Sequence, residues 1–107
     1  MAEARALYKD AFARFVKGEL AEAIAGYRAA LAADDRLAIA WNGLAMALAQ
    51  NGDLDGAIEA GLRLVELEPD EALGHTSLSI FYQRKGMIPE AEEEKAIATR
   101  LAMGGKR

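Results

Sequence analysis

The sequence predicts an all-α protein built as a right-handed solenoid of three helix–turn–helix repeats. Three glycines recur every 34 residues, each between two stretches in which apolar residues have helical spacing. They are Gly18, Gly52 and Gly86. Five residues after each glycine comes an alanine, small enough to let the second helix of a repeat lie close against the first. These alanines are Ala23, Ala57 and Ala91.

Length and composition are those of one helical domain. The 107 residues suffice for a modest core, and we expect a single domain over residues 1–103 with a flexible tail at 104–107. Hydrophobic residues make up 52% and cysteine is absent, which excludes disulfides, zinc ribbons and thiol catalysis. The longest uncharged run, residues 37–52, is too short and too polar to span a membrane. The chain begins without an apolar leader, so we expect a cytoplasmic protein without membrane insertion.

The charge is mildly acidic and unevenly spread. The net charge is −4, and Arg63 is the one basic residue between positions 38 and 71, against seven acidic residues. We refer to residues 38–71 as the acidic band. No basic face is visible in the sequence, so we expect no nucleic acid as a partner.

Repeat one covers about residues 4–37. Its first helix carries apolar side chains at helical spacing, namely Leu7, Ala11, Phe15 and Val16. Its second helix is predicted over residues 20–33, with a buried face made of Ala23, Ile24, Tyr27, Ala30 and Leu31. The pair Asp34-Asp35 follows and forms a turn without a proline stop.

Repeat two, residues 38–71, has the most apolar first helix, predicted over residues 37–50. A helix that is apolar nearly all round is covered on several sides, as the central helix of a three-repeat stack would be. The second helix is predicted over residues 54–67 and ends before Pro69, because proline disfavours helical geometry in the residue that precedes it.

Repeat three, residues 72–105, pairs a first helix with a second that is predicted to begin at Pro89. The first helix carries Leu73, Leu78, Ile80, Phe81 and Tyr82. On the second helix, Glu92, Lys95 and Thr99 stand where the other repeats have mainly apolar residues. A polar outer face suits a terminal repeat, so we expect this helix to cap the stack.

The central repeat carries a family resemblance. It contains Trp41-x-x-Leu44-Ala45-x-x-Leu48, then Gly52-Asp53, Ala57-Ile58 and Pro69, at the offsets of W-x₂-L-G-x₂-Y…A…F…P. This pattern resembles the tetratricopeptide repeat, and the resemblance covers most of the chain. It implies a non-enzymatic module that binds other proteins. The departures are Leu7 and His75 where tryptophan is typical, Asp10 where leucine is typical, and Gly61 where an aromatic residue is typical.

Evidence for catalysis is weak, and we predict no catalytic residue, cofactor or metal. His75 is the one histidine and occupies the position that Trp41 holds in repeat two, which favours a residue packed between helices over a ligand or base. The carboxylates of Glu92-Glu93-Glu94 and Asp34-Asp35 are expected on a solvated helix face and a turn. No glycine-rich phosphate loop is present.

Four glycines fall inside predicted helices, where each costs about 1 kcal/mol relative to alanine. They are Gly26, Gly43, Gly61 and Gly74. Gly61 is expected to face the first helix of repeat three near Gly74 and His75. Either the two backbones approach closely there or a small recess remains, and close packing is the favoured alternative.

One known function of the family is contradicted by the sequence. Members that grip the C-terminal Glu-Glu-Val-Asp of heat-shock proteins resemble one another at five first-helix positions, with Lys and Asn, then Asn, then Lys and Arg in successive repeats. The corresponding residues here are Tyr8, Phe12, Gly43, Leu73 and Ser77, and none of them fits. We therefore do not expect a heat-shock-protein C-terminal tail as the partner.

The resemblance implies instead a concave groove lined by first-helix side chains, and in this chain they are largely apolar. We use the term groove for the surface formed by nine residues, which are Tyr8, Phe12, Ile39, Asn42, Met46, Leu73, Thr76, Ile80 and Gln83. Phe15 shares this face but is expected in the core. The predicted function is an adaptor or scaffold that holds an apolar segment of a partner protein, and the groove favours a helix while an extended peptide stays open as the other binding mode. The alternative is a structural subunit of a larger complex, or a homo-oligomer formed through the groove or the repeat ends.

Overall fold

The computed structural model describes residues 2–105, which form six α-helices arranged as three consecutive helical hairpins. The helices are α1 (Ala2–Val16), α2 (Leu20–Ala33), α3 (Ala38–Gln50), α4 (Leu54–Leu67), α5 (Ala72–Arg84) and α6 (Ile88–Ala102). No strand occurs between residues 2 and 105. The predicted all-α repeat solenoid is confirmed. No helix in the described part of the chain is long and apolar enough to cross a membrane.

The turn inside each hairpin depends on its glycine. Gly18, Gly52 and Gly86 have φ of 79°, 88° and 86°, the left-handed region that favours glycine. In the central turn the Asp53 N–H donates to the Leu48 carbonyl at 2.9 Å and the Gly52 N–H donates to the Ala49 carbonyl at 3.1 Å. These two bonds form a Schellman motif, which satisfies carbonyls at the end of α3. The positive φ expected at Gly52 is present.

The turns between hairpins close differently. After α2, the Asp34 carboxylate accepts from the Arg36 N–H at 3.1 Å, which shapes the turn that lacks a proline. The Trp41 indole N–H then donates to the Asp35 carbonyl at 2.8 Å and ties α3 to this turn. After α4 the chain turns at Pro69, and the Nε2 of His75 lies 3.1 Å from the Pro69 carbonyl oxygen. His75 therefore makes in repeat three the link that Trp41 makes in repeat two.

The core is rich in small side chains that let the helices approach closely. Eight alanines have no exposed surface at all, and they are Ala4, Ala11, Ala23, Ala30, Ala40, Ala45, Ala47 and Ala57. A Cβ added at Gly26 would lie 2.7 Å from the Cβ of Ala11, and one added at Gly43 would lie 2.4 Å from Cε1 of Tyr27. Both glycines are thus places where another helix fills the space of a side chain.

At Gly61 the helices pack closely, as favoured from the sequence, but the neighbouring residues differ from those expected. The residue is buried, and a Cβ there would lie 2.8 Å from Cδ2 of Leu78, so the close approach is present and no recess remains. Its neighbours on α5 are Leu78 and Phe81, about one helical turn beyond the expected Gly74 and His75. Gly74 instead lies against Val65. The two helices run in opposite directions, so residues nearer the start of α5 meet residues nearer the end of α4.

The last helix ends in the same way as the first helix of each hairpin. Gly104 has a φ of 88°, and the Gly105 N–H donates to the Arg100 carbonyl at 2.9 Å, so these residues finish α6 with the same motif as the hairpin turns. Met1, Lys106 and Arg107 lie outside the described residues, and with them part of the predicted tail.

Replacing Gly52 with alanine should destabilise the fold by about 1–2 kcal/mol, because an L side chain is strained at this positive φ. A Cβ added at Gly52 would meet no atom within 4 Å in this open turn, so the cost is conformational and not steric. Asn51→Ala is the matched control, since Asn51 has an ordinary φ of −82° and is exposed. Urea unfolding followed by circular dichroism measures both. Equal midpoints for the two variants would contradict the role given to Gly52.

Candidate functional site

His75, the residue with the strongest claim to chemistry by type, is enclosed. Its exposed fraction is 1%, its Nδ1 lies 2.7 Å from Oε1 of Glu94, and its Nε2 faces the Pro69 carbonyl. Each ring nitrogen thus lies within hydrogen-bond distance of an oxygen. The ring joins α5 to α6 and to the turn before α5. This is the packed histidine that the sequence predicts.

Repeat two shows what the His75–Glu94 pair replaces. Trp41 is equivalent to His75, and Ala60 is equivalent to Glu94 and only 2% exposed. Repeat three therefore has a hydrogen-bonded ring and carboxylate at the positions where repeat two has an indole and a methyl group, which supports a structural role.

The remaining polar candidates are also accounted for by the fold. The Ser79 hydroxyl donates to the Ala91 carbonyl at 2.9 Å, and Ser77 is buried. Glu92 and Glu93 are exposed on α6. Within residues 2–105, no group of three His, Cys, Asp or Glu side chains is placed to hold a metal ion.

The groove residues all lie on the first helices of the hairpins, α1, α3 and α5, and each is exposed or half-buried. Phe12, Met46 and Ile80 are separated by 34 residues each and have exposed fractions of 48%, 39% and 50%. Ile39 and Leu73 form a second such pair, at 45% and 54%. Equivalent positions of successive repeats are thus apolar and open to solvent. Phe15, by contrast, packs partly buried against the core.

Aromatic rings form the N-terminal part of the groove. The rings of Tyr8 and Phe12 stack with centroids 6.2 Å apart, and Tyr8 tilts against Tyr27 at 5.8 Å. Burial, with a smaller contribution from Tyr8, raises the pKa of Tyr27 to about 12. Burial also raises the pKa of Tyr8. Both phenols are therefore neutral near pH 7, and this part of the groove presents uncharged aromatic surface.

The centre of the groove contains one polar group with an unmet hydrogen bond. Asn42 lies on α3 between the equivalent positions Tyr8 and Thr76, and its side-chain oxygen is screened from solvent. Among the described residues this oxygen is the one buried side-chain atom without a hydrogen-bond partner. An unmet buried acceptor costs about 1–3 kcal/mol, so this oxygen is a local cost to the stability of the fold.

A cleft with a volume of about 400 Å³ extends the groove onto α6. Three groove residues line it, Thr76, Ile80 and Gln83, together with Lys95 and Thr99 of α6. The sequence predicts the two α6 residues only as part of a polar cap, and both are exposed. The 34-residue period could have indicated this, because Lys95 is equivalent to Gly61 and Tyr27. Both of those residues face the first helix of the next hairpin.

Comparison with known proteins places this geometry in context. Residues 38–71 match the family described as Tetratricopeptide repeat. No curated protein matches the sequence significantly. A crystal structure of MamA is 27% identical and superposes with a TM-score of 0.91, and the match covers 94% of this chain and 59% of the MamA chain. A second MamA structure is 28% identical, with a TM-score of 0.88 and coverage of 92% of this chain and 54% of its own.

Two further structures, each 19% identical, show the fold alone. One is the second TPR of Spaghetti (RPAP3) bound to the HSP90 peptide SRMEEVD, with a TM-score of 0.87 and coverage of 92% of this chain and 91% of its own. The other is the CopN–Scc3 complex, with a TM-score of 0.91 and coverage of 95% and 60%. The chain thus spans about 60% of the length of the matched MamA and CopN–Scc3 chains.

Glu94→Ala should destabilise the fold by about 1–3 kcal/mol, because it leaves one ring nitrogen of His75 without a partner in a buried site. Adding His75→Trp recreates the Trp41–Ala60 pair of repeat two and should recover much of the loss. Glu93→Ala, at an exposed neighbour, is the control and should change little. Chemical denaturation measures the three variants. A loss in Glu93→Ala equal to that in Glu94→Ala would show that the His75–Glu94 bond contributes nothing specific.

Proposed function

We propose that this chain, whose residues 38–71 match the tetratricopeptide repeat, a family of protein-interaction modules, is a non-enzymatic adaptor whose groove holds an apolar segment of a partner protein. The observation that carries the proposal is the row formed by Phe12, Met46 and Ile80. Three large apolar side chains stand at equivalent positions of successive repeats, and each leaves between about two-fifths and half of its surface in water. Exposed apolar side chains in register on successive repeats support an interaction site, because a large apolar patch on a protein surface usually marks one.

Covering this row contributes part of the binding free energy, and other contacts must supply the rest because association itself is costly. Fully burying one such side chain is worth about 1.5–3 kcal/mol, and each member of the row has up to half of that gain still available. Ile39 and Leu73 add a second apolar pair alongside. Met46 lies in the middle repeat, and its flexible thioether side chain can adapt to the shape of a partner.

The chemistry of the groove favours a helical ligand. An extended peptide needs partners for its backbone N–H and C=O groups, and the groove offers only Asn42, Thr76 and Gln83 as uncharged hydrogen-bonding side chains besides the Tyr8 hydroxyl. A helix satisfies its own backbone internally. It would need only apolar anchors at helical spacing on the face turned toward the groove.

The groove lacks the features that would hold an acidic C-terminal tail. The RPAP3 structure binds an HSP90 peptide, but here Leu73 and Ser77 stand at two clamp positions where Lys and Arg are expected. Ser77 is buried, and a side chain at Gly43 would collide with the ring of Tyr27. These contacts support the proposal that the partner is apolar and is not a heat-shock-protein tail.

Met46→Glu should abolish or strongly weaken partner binding, because a carboxylate at the centre of the groove would be desolvated against an apolar ligand. A central truncation alone can cost about 2 kcal/mol of binding, which is roughly thirtyfold in affinity, and the charge should cost more. Affinity capture from a native lysate, compared by mass spectrometry for the parent and Met46→Glu, identifies the partner that depends on the groove. Calorimetry with that partner then gives the dissociation constants.

Glu59→Lys is the matched control, a charge change at an exposed position of α4 within the acidic band. It should alter binding weakly and mainly through salt-dependent association rates. Circular dichroism should find both variants folded, since both positions are exposed. If Glu59→Lys loses the partner while Met46→Glu retains it, the groove is the wrong surface and the acidic band is the interface.

A further inference from the structure

Two arginines share the face of the first helices that forms the groove. Arg5 is equivalent to the groove residues Ile39 and Leu73 at the 34-residue period. Arg84 follows Ile80 by four residues, about one helical turn, so it extends the same face toward the end of α5. Both arginines are exposed. The largely apolar groove therefore has one cation at the start of α1 and another at the end of α5.

The other two corners of this face are apolar. Leu73 lies near the start of α5, and Val16, which is equivalent to Arg84, is the last residue of α1. Their exposed fractions are 54% and 68%. The first helices of successive hairpins run in the same direction, so the two arginines stand on one diagonal of the face and the two apolar residues stand on the other. Met46, in the middle hairpin, lies near the point where the diagonals cross.

The openness of this face does not depend on where the stack of hairpins ends. Leu73 is equivalent to Arg5 and stays exposed although two hairpins precede it. Val16 is equivalent to Arg84 and stays exposed although two hairpins follow it. A neighbouring hairpin therefore leaves these positions open, as expected for a face that lines the groove and not a junction.

Both arginines have hydrogen-bonding capacity to spare. A guanidinium has five N–H donors, and Nη2 of Arg84 donates to the Ala49 carbonyl at 3.4 Å, which holds the group beside the end of α3. No ion pair joins Arg5 or Arg84 to another described residue. The carboxylates of the acidic band lie on α4 and in turns, and none lies on α3. The charged corners of the groove face are thus basic in a protein whose net charge is −4.

We propose that the segment held in the groove is an amphipathic helix with acidic residues on both sides of its apolar face. The inference rests on the proposed function, since it names the partner of the same groove. The helix lies along the diagonal from Val16 to Leu73, over Met46, with Arg5 on one side and Arg84 on the other. A carboxylate on each flank then meets one guanidinium. The acidic band repels such a helix from other faces, so charge directs it to the groove.

Two synthetic helical peptides of about 18 residues, or about 27 Å, test this inference. Both carry the same leucines on one face, and they differ only at the flanking positions, which are glutamate in the acidic peptide and lysine in the basic peptide. Fluorescence anisotropy measures the affinity of each peptide for the full chain. At low salt the acidic peptide should bind about tenfold more tightly, and this preference should fall below about twofold at about 0.5 M salt.

Charge reversal at the corners should transfer the preference to the other peptide. Arg5→Glu and Arg84→Glu should each reduce the preference for the acidic peptide, and the double variant Arg5→Glu/Arg84→Glu should bind the basic peptide more tightly. Arg28→Glu is the matched control, the same charge change at an exposed position of α2, and should keep the preference within about twofold of the parent. Circular dichroism checks that each variant is folded, which the exposed positions allow.

Met46→Ser separates this inference from the proposed function. It removes the central apolar contact without adding charge, so it should weaken the binding of both peptides by about tenfold or more. Peptides that bind the parent equally well, and are both weakened by Met46→Ser, would overturn the acidic helix and leave the groove in place. A loss of preference in Arg28→Glu equal to that in Arg5→Glu would also overturn it. If neither peptide binds, or if Met46→Ser binds both as the parent does, the proposed function fails as well.

Discussion

Close approach between helices is the constraint on which the rest of this structure depends. Across the junctions α3 packs on α2 and α5 packs on α4, and small residues make the close approach possible. The ring of Tyr27 occupies the space beside Gly43, and the side chain of Leu78 occupies the space beside Gly61. A glycine inside a helix costs about 1 kcal/mol, but burying a tyrosine or leucine side chain returns more than that. The low helix propensity of these glycines is therefore the cost of the close packing that they allow.

Each of these contacts sets a glycine against one large side chain, and other large apolar side chains remain exposed on the first helices. A helix can bury only part of its circumference against its two neighbours, and α1, α3 and α5 turn a common face away from those contacts. On that face Phe12, Met46 and Ile80 have no core to fill. Their repetition at equivalent positions follows from the same period that builds the stack. The fold and the candidate binding surface thus have one origin in the sequence.

Repeat three departs from the pattern where the stack has no further hairpin among the described residues. Its second helix replaces the apolar junction residues with Lys95 and Thr99, and its interior replaces a tryptophan with the hydrogen-bonded His75–Glu94 pair. The carboxylate of Glu94 is only partly buried, so the pair keeps some contact with water while it joins α5 to α6. Polar substitutions near the edge of the stack cost little in solvation there and would cost far more at the central helix.

The sequence by itself determined the helices, the hairpin turns and the period. Helical spacing of apolar residues and a glycine required at φ near 88° are local properties, so the turn at Gly52 and the bounds of α4 could be predicted without tertiary information. The exposed row through Met46 also followed from the period. Only the tertiary structure decided which residues meet across helices. Gly61 packs on Leu78 rather than near Gly74, and Lys95 lines a cleft beside Ile80. These contacts depend on the axial shift between packed helices, and one helical turn of shift changes every partner while leaving the local pattern intact.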